Sequence, residues 1–332
     1  MAYMSVNSYL GLALESTPKT PASGTYTYIP VSAPQVSPML QWLRDEALRG
    51  SPVSLYDQVA GVRHDEVDFK TYAYADSAPL LFASVLGPIT SSGSTLYTHV
   101  IGLLNSASTG SQPSSVTVNS FDGGNAFQIS GAQAASLDLS FGADKAVEAS
   151  LKYMGQPWTT PTPSATYGTE ALIPGWNTAI SINSTSFANI IDGTLKIDRK
   201  TAPIFTAGTQ GPHTVFAGPC AVSGSFTVVV EAADAFTIGS TAYGLYRGAS
   251  NIPMTLTFTD NADGVSPTYN KIVMQMSDVQ FTNPKRSVGK DYVELTVDFD
   301  AQANTTDKIS TGYSPLKVTV TNNVAGSAYT PS

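Results

Sequence analysis

The 332-residue sequence predicts a mainly β protein built from two similar modules. Apolar and polar residues alternate with a period of two in many short segments, as they do in half-buried strands. Only two segments carry the start and stop signals of a helix. The order of these segments in the first half of the chain recurs in the second half, which indicates an internal duplication.

The predicted strands are short alternating runs, each bounded by Gly, Pro, Asp or Asn. They occupy residues 66–73, 115–121, 136–141, 193–199, 225–231, 254–260 and 316–320. Together they make β structure the dominant element of the chain.

A strand that is apolar on one face and largely acidic on the other closes each half of the chain. Residues 147–153 read VEASLKY, and residues 293–299 read VELTVDF. Since neighbouring side chains of a strand point to opposite faces, the polar ones share a side. These polar positions are Glu148, Lys152, Glu294, Thr296 and Asp298.

Helix signals occur once in each half. Residues 77–87 begin with Ser77 as a candidate N-cap, have a proline in the first turn and stop at Gly87. Residues 234–244 have the same layout with Asp234 as the cap, although an internal glycine and several β-branched residues disfavour the helix. Each module is therefore expected to carry one helix.

Matches between the halves keep the same order along the chain. Phe69 corresponds to Phe226 in the strand before each helix, and Asp122 corresponds to Asp260 in two Asp-Gly hairpin turns. The offset shrinks after the first helix, so residues 88–104 have no counterpart. They are predicted to form an added strand.

The two predicted modules are joined by a linker. Residues 155–175 are rich in Pro, Thr and Gly and have no apolar period. The first module is therefore predicted at residues 1–154 and the second at residues 176–332.

Each module also contains a long segment without clear periodicity, at residues 34–54 and 199–219. Loops of this length are functional or disordered, and disordered segments seldom hold so many large apolar side chains. We therefore predict two arms that dock on another surface. Their apolar side chains are Met39, Leu40, Trp42, Leu43, Ile204, Phe205, Val215 and Phe216.

The composition disfavours several classes of partner. Lys and Arg total 17 against 25 Asp and Glu, a formal charge of −8, and no basic run is present to neutralise a row of phosphates. Tight nucleic-acid binding is therefore not expected. Charged residues make up 13% of the chain, against roughly 25% in an average soluble domain, which suits burial in an assembly or a secreted β protein.

A single cysteine, Cys220, excludes an internal disulfide and is expected to be a buried small apolar residue. The first residues lack the basic start and apolar run of a secretory signal, and no segment reaches the roughly 20 apolar residues of a membrane-spanning helix. The expectation is a soluble intracellular product that does not bind membranes.

No motif in the sequence specifies a metal, cofactor or catalytic site. His64, His99 and His213 are scattered without metal-ligand spacing, and the sequence has no phosphate-binding loop, dinucleotide fingerprint or nucleophile elbow. Residues 260–264 superficially suggest a calcium loop, but the ligand spacing and the distal Glu are missing. The sequence therefore predicts no cofactor and no enzyme activity.

Paired carboxylates leave one catalytic alternative. Glu66 with Asp68, or Glu294 with Asp298, would share a strand face as the two carboxylates of a glycosidase do. Any solvated strand face can show this spacing, so it favours an ordinary polar face more than an enzyme.

The layout resembles the tail tube proteins of long-tailed bacteriophages, in the large form with two tube modules in one chain. The likeness is carried by the opening YLGLALESTPKTPAS and TYTYIPV, the long arm that follows, EVDFKTYAYADSAPLLFASVLG as strand then helix, the Asp-Gly hairpin, and the strand that ends each half. It spans nearly the whole chain.

The resemblance implies that each module is a small β-barrel or sandwich with one flanking α-helix and a long arm loop. Three chains would then close a pseudo-hexameric ring, and stacked rings would form the hollow tube through which DNA passes. The residues implied to face the lumen are Glu66, Asp68, Lys70, Glu148, Lys152, Glu294, Thr296 and Asp298.

The resemblance also implies partners and a location. The chain would bind copies of itself through the arms, with a tape measure protein in the lumen and tail terminator and distal tail or baseplate proteins at the ends. It would assemble in the host cytoplasm and reside in the virion tail. The alternatives are another self-assembling or cell-surface, adhesin-like β protein, and a carbohydrate-binding or carbohydrate-active β domain.

Overall fold

A computed structural model describes residues 4–165, 171–187, 189–230, 252–260, 270–288 and 291–332. These residues contain nineteen strands, one α-helix and three short 3-10 helices, which confirms the predicted mainly β fold. Every predicted alternating run lies in or overlaps one of these strands.

The elements of the first half are β1 (Tyr9–Leu14), β2 (Thr27–Ile29), β3 (Val31–Asp45), β4 (Asp57–Tyr72), α1 (Ala78–Val85), β5 (Ile89–Gly93), β6 (Tyr97–Gly102), β7 (Val116–Phe121), β8 (Ala126–Gly142) and β9 (Glu148–Gly155). The strands of the second half are β10 (Thr178–Ile182), β11 (Thr185–Phe187), β12 (Ile190–Asp198), β13 (Ala202–Ile204), β14 (Thr214–Phe216), β15 (Ala221–Val229), β16 (Ile252–Thr259), β17 (Lys271–Ser287), β18 (Glu294–Ala301) and β19 (Lys317–Asn322). The 3-10 helices are Ser5–Asn7, Gly175–Asn177 and Gly326–Tyr329.

Eight strands form one continuous antiparallel sheet, here called the long sheet. Their order is β3, β4, β9, β8, β12, β15, β18 and β17. Each strand runs opposite to its neighbour, so the first and last strands of the long sheet also run in opposite directions. The sheet is built from both halves of the chain.

Nine further strands form a second layer, here called the covering strands. In the first half β2, β1 and β7 pair onto the start of β8. In the second half β11, β10 and β16 pair onto the start of β17, and β19 pairs onto the same part of β17 and carries β6 and β5 of the first half beside it. β8 and β17 are both 17 residues long and belong to both layers, so each is a corner where one sheet turns into the other.

The hydrophobic core lies between these layers. Leu137, Phe226 and Phe299 on the inner face of the long sheet are almost fully buried. Burying this apolar face against the covering strands removes it from water and supplies the main driving force for folding. The opposite face of the long sheet keeps the polar residues of each alternating strand.

The strand pairing of the first half occurs again in the second half. Asp68 of β4 lies opposite Lys152 of β9, and at the matching place Ser225 of β15 lies opposite Asp298 of β18. We refer to β3, β4, β9 and β8 as the first group and to β12, β15, β18 and β17 as the second group. The groups meet where β8 pairs with β12.

The first predicted helix is confirmed as α1, and all its residues are buried. It packs against β1, β6, β8 and β19. Ser77 occupies the N-cap position, but its backbone is helical and its side chain makes no capping hydrogen bond, so the predicted cap chemistry was wrong. The second predicted helix, at residues 234–244, lies outside the described residues.

The Asp122 turn is confirmed, because Asp122 Oδ1 accepts hydrogen bonds from the backbone N–H groups of Gly124 and Asn125 at 2.8 and 2.6 Å. The turn after Asp260 falls mostly outside the described residues. Residues 88–104 form two strands, β5 and β6, instead of one. β6 pairs with β19 and so joins the first half to the covering strands of the second half.

The predicted arms have more regular structure than the sequence indicated. Most of the first arm belongs to a long hairpin in which β3 pairs with β4. The second arm contains a separate two-stranded hairpin, β13 with β14. The first arm does not alternate clearly, because prolines and two register shifts interrupt the period of two. The strands of the second arm are only three residues long, too short to show a period.

The described part of the segment predicted as a linker packs against its surroundings. Thr159 pairs with Gln128 through two backbone hydrogen bonds of 2.8 and 2.9 Å. Ile173 is fully buried, and its carbonyl accepts a hydrogen bond from the Val147 N–H at 3.0 Å. The segment is irregular, as predicted, but it is anchored at both ends.

Candidate functional site

The polar face of the long sheet is a continuous surface that can be followed across its strands. Residues directly opposite each other on paired strands share a face, so the ladders can be followed from strand to strand. One such row crosses seven strands from β4 to β17. Its members are Lys70, Ser150, Asp138, Lys196, Ser223, Asp300 and Gln280.

A second row runs beside the first across the same seven strands. Its members are Tyr72, Glu148, Ser140, Thr194, Ser225, Asp298 and Thr282. Hydroxyl, amide and charged groups therefore extend across the junction between the two groups without an apolar break. The polar face is one surface, not two.

All eight residues predicted to face the lumen lie on this polar face. Their common side follows from the register of the strand ladders. Glu66, Asp68 and Lys70 come from β4, and Glu148 and Lys152 come from β9. The other three, Glu294, Thr296 and Asp298, come from β18. Glu294 is largely buried, whereas Glu148 is exposed and the others are exposed or half-buried.

Lys152 is the centre of a charged cluster on this face. Its Nζ lies 2.7 Å from Glu66 Oε2, and His64 Nε2 lies 3.7 Å from Glu66 Oε1. The hydrogen bond to Glu66 raises the pKa of Lys152. Burial raises the pKa of Asp68, and the Lys152 charge opposes that shift. Lys152 therefore forms an ion pair with Glu66 and favours the charged form of the neighbouring Asp68.

Sequence reasoning missed several charged residues of the same face. Asp138 lies opposite Lys196 where β8 meets β12. Burial raises the pKa of Asp138, and the ammonium of Lys196 lowers it. Asp198 and Asp300 share the face as well. Their alternation in LDLSF, LKID and DFDA was visible, but only pairing to neighbouring strands places them on this side.

Carboxylates outnumber ammonium groups on the polar face. The carboxylates are Glu66, Asp68, Asp138, Glu148, Asp192, Asp198, Glu294, Asp298 and Asp300, and the ammonium groups are Lys70, Lys152, Lys196 and Lys285. Such a surface is wet and carries a net negative potential.

The predicted arm residues fall into two environments. Met39, Leu40, Trp42 and Leu43 of the first arm, and Ile204 and Phe216 of the second, are exposed large hydrophobics. Val215 is buried, and Phe205 is half-buried with its ring 6.1 Å from that of His64. The apolar surface therefore concentrates on the hairpin of β3 and β4.

The two arms touch closer to the tip of that hairpin than to its base. The Arg63 N–H donates to the Gln210 carbonyl at 2.9 Å, and Gln210 Nε2 donates to the Gly61 carbonyl at 2.8 Å. The second arm thus lies against the first group, whereas residues 46–55 at the tip of the first arm are exposed.

Among the residues the structure describes, no group of three or more His, Cys, Asp or Glu could hold a metal ion. No helix in this part of the chain is long and apolar enough to cross a membrane. Burial raises the pKa of the Cys220 thiol, which favours the unreactive protonated form.

A two-layer β protein with a broad acidic face and an extended apolar hairpin has the features of a structural protein that acts by binding other proteins through its surface. A sequence model of the family described as phage tail tube protein matches residues 5–301. The chain belongs to the phage tail tube protein family, and it is a structural component of the phage tail. This family is not an enzyme family. A comparison with curated proteins gives no match.

Proposed function

We propose that three copies of the chain close a ring, that rings stack into the tail tube, and that the polar face of the long sheet lines the lumen. The observation that supports this proposal most directly is the polar face itself. It crosses eight strands and both halves of the chain without interruption. A wall of a wide pore requires such a surface, and a closed globular protein has little use for one.

The chain is proposed to hold two tandem tube modules, at residues 1–154 and 176–332, joined by residues 155–175. The support is the repeated pairing order of the first and second groups. Each group contributes four strands to the long sheet, so three chains contribute six groups. The ring would then have pseudo-sixfold symmetry.

A ring of this kind would have a lumen wide enough for duplex DNA. About 24 strands at roughly 4.8 Å spacing and a tilt near 40° give a backbone circle about 45 to 50 Å across. Side chains reduce the free width to roughly 35 to 40 Å. Duplex DNA or a bundle of helices fits within that width.

The electrostatics of the polar face suit DNA passage. Phosphates are repelled at short range by the carboxylates of the face, and this repulsion is screened within about 8 Å at physiological salt. Hydroxyl and amide groups keep the surface hydrated between the charges. DNA would therefore pass without adhering to the wall.

The remaining partners follow from the tube. A tape measure protein would occupy the lumen during assembly, and tail terminator and distal tail or baseplate proteins would cover the two ends. Assembly would take place in the host cytoplasm. The exposed apolar residues of the first arm would be buried against a neighbouring copy, in the same ring or in the next one.

The test combines electron microscopy with native mass spectrometry of the purified chain over a range of concentrations. We expect three-chain species and hollow tubes whose cross-section shows six similar units. A six-chain ring would refute the proposed stoichiometry. Protein that stays monomeric at the highest concentration, with no polymer, would refute the tube proposal.

A further inference from the structure

The long sheet ends in two strand edges that have no partner within the described residues. β3 forms a ladder only with β4, and the last part of β17, from Gln280 to Ser287, forms one only with β18. An open edge presents unpaired N–H and C=O groups and is a ready site for another strand. These edges lie at opposite ends of the sheet.

The junction inside the chain shows how such edges fit together. β8 is the last strand of the first group and corresponds to β17, the last strand of the second group. β12 is the first strand of the second group and corresponds to β3, the first strand of the first group. β8 and β12 pair continuously from Gly142 opposite Asp192 to Ser136 opposite Asp198. By this equivalence, the strand that would pair with β17 is a β3 strand. The β3 strand of the same chain lies at the opposite end of the long sheet, so a second copy would supply it.

The internal register sets the register of that contact. In the junction, Asp138 lies opposite Lys196. The ladders within the groups assign Lys285 of β17 to the place of Asp138, and Ser37 of β3 to the place of Lys196. Lys285 is thus expected opposite Ser37, whose other neighbour is Glu66.

Packing beneath the junction has a counterpart as well. Phe141 of β8 makes an edge contact with Phe258 of β16, with ring centroids 5.3 Å apart. At the corresponding place beside β3 there is an open groove of about 1000 Å³. Its apolar lining includes Val31, Val36, Pro38, Phe121, Phe127 and Trp158.

The end of β17 has side chains that match this groove. Val288 directly follows β17 and is 73% exposed; extending the ladder register by one residue assigns it to the place of Phe141. Arg286 of β17 lies opposite the buried Leu295, so its side chain is on the core side of the long sheet, the side that Phe141 occupies in β8. The groove is also lined by Asp122, so an acidic group is available for the guanidinium.

We propose that β17 of one copy pairs antiparallel with β3 of the next, with Lys285 opposite Ser37 and Val288 in the groove. This inference rests on the proposed ring and adds the two edges and their register. Since the eight strands alternate in direction, joining the ends of two long sheets continues the antiparallel order. The same contact, repeated three times, closes the ring.

Disulfide trapping tests the register. Ser37→Cys and Lys285→Cys are introduced into a Cys220→Ala background, assembled, oxidised and analysed on a non-reducing gel. Paired residues on antiparallel strands lie about 4.5 to 5.5 Å apart between Cα atoms, within the range of a disulfide. We expect the main band to shift from one chain to three. The matched control, Ser37→Cys with Ser287→Cys, is displaced by two residues and should cross-link far less.

The outcomes separate this inference from the tube proposal. Tubes that form, as seen by microscopy, without cross-linking of the predicted pair, or with stronger cross-linking of the displaced pair, would overturn the register and leave the ring intact. A complete lack of tubes from the unsubstituted protein would instead count against the proposed function.

If the cysteine variants fail to assemble, hydrogen exchange of the unsubstituted protein decides the question. The amides of β3 that point away from β4, and those of residues 282–287 that point away from β18, should exchange more slowly after assembly; Pro284 has no amide hydrogen. Both segments must become protected together, because each supplies the other's partner. Unchanged exchange in either segment of assembled tubes would overturn the proposed pairing.

Discussion

Glu15 shows how single residues hold the covering strands together. This buried carboxylate accepts hydrogen bonds from Ser115 Oγ at 2.6 Å, Thr117 Oγ1 at 2.7 Å, the Gly131 N–H at 2.7 Å and the Lys19 N–H at 2.9 Å. It connects the end of β1 to β7 and β8. Hydrogen bonds to a charged acceptor are the stronger kind, so the cluster is a strong local constraint.

Glu15→Ala is expected to lower the free energy of unfolding of the unassembled chain by about 3 to 5 kcal/mol, because the buried donors lose their acceptor. Urea unfolding followed by tryptophan fluorescence measures the effect. The control Glu46→Ala removes a carboxylate from an exposed position and should change stability by less than about 0.5 kcal/mol. Equal effects of the two substitutions would show that the Glu15 cluster is not stabilising.

Asp65 gives a pH-dependent prediction. The carboxyl is buried, and its Oδ2 accepts a hydrogen bond from the backbone N–H of Trp158 at 2.7 Å. Burial raises the pKa of this carboxyl, and the hydrogen bond opposes that shift. The folded protein therefore binds this proton more tightly than the unfolded chain. The resulting stabilisation is complete below the unfolded pKa and is lost as the pH rises through the folded one.

The difference in free energy of unfolding between Asp65→Asn and the unsubstituted protein should accordingly favour the variant more at pH 7 than at pH 4. The amide oxygen still accepts the hydrogen bond, and it carries no charge at either pH. Urea midpoints at the two pH values measure the difference. Asp291→Asn, at an exposed position, controls for the loss of one negative charge. A stability difference that is the same at both pH values would contradict the prediction.

At the scale of elements, strand positions were predictable and strand partners were not. Alternation in LDLSF and LKID identifies the C-terminal part of β8 and part of β12, because half-buried strands require it. Nothing in either run says that Asp138 will face Lys196. Pairing depends on the shape of the whole core, and the same holds for β6, which joins β19 across the chain.

The first arm shows where local patterning fails. Residues 34–45 contain Pro34 and Pro38 and lack a steady alternation, so their sequence predicts an irregular segment. In the structure they belong to β3, whose ladder with β4 has two register shifts. Proline is tolerated in an edge strand or at a bulge, where its missing N–H is not required. The open edge of β3 is therefore consistent with its sequence.

The tip of this hairpin is expected to act in assembly and not in folding. Trp42 and Leu43 are 49% and 53% exposed, so Trp42→Ser and Leu43→Ser should leave urea unfolding of the monomer nearly unchanged. Losing a buried interface anchor costs about 2 kcal/mol or more, which raises the critical concentration for assembly at least about tenfold.

Sedimentation of polymer over a concentration series measures this critical concentration. Tyr313→Ser serves as the matched control, since Tyr313 is an exposed aromatic residue outside both arms. An unchanged critical concentration for both arm variants would remove the first arm from the assembly contacts.

At the scale of the whole molecule, the sequence predicts that the eight candidate lumen residues share one face of the sheet. The prediction depends on the period of two and on the match between the two halves of the chain. Glu148 and Glu294 occupy matching places in β9 and β18, so their placement on one side needed only that the two groups pack alike. Which side of the sheet is polar was predictable for the same reason. The continuity of the face across β8 and β12 was not, because it depends on a contact between the halves.

The charge of the polar face is expected to control DNA release. Asp298→Lys combined with Asp300→Lys should leave tube assembly intact but slow DNA ejection from particles that carry the variant, because added ammonium groups attract phosphates. The delay should shrink at high salt, where such attraction is screened. Ejection kinetics followed with a DNA-binding dye at two salt concentrations measure it.

Asp144→Lys, which changes charge in the exposed turn between β8 and β9, is the control. A doubly substituted tube that ejects DNA at the unsubstituted rate would place the polar face away from the lumen.

The corner strands β8 and β17 have a mechanical consequence. Each is a continuous backbone that begins among the covering strands and ends in the long sheet. The two layers consequently cannot slide past each other without breaking strand ladders. In the proposed tube, a load applied to the covering strands would reach the long sheet through covalent bonds. A tube made of such subunits would resist flattening as a single thick shell, and its bending would be confined to the boundaries between rings.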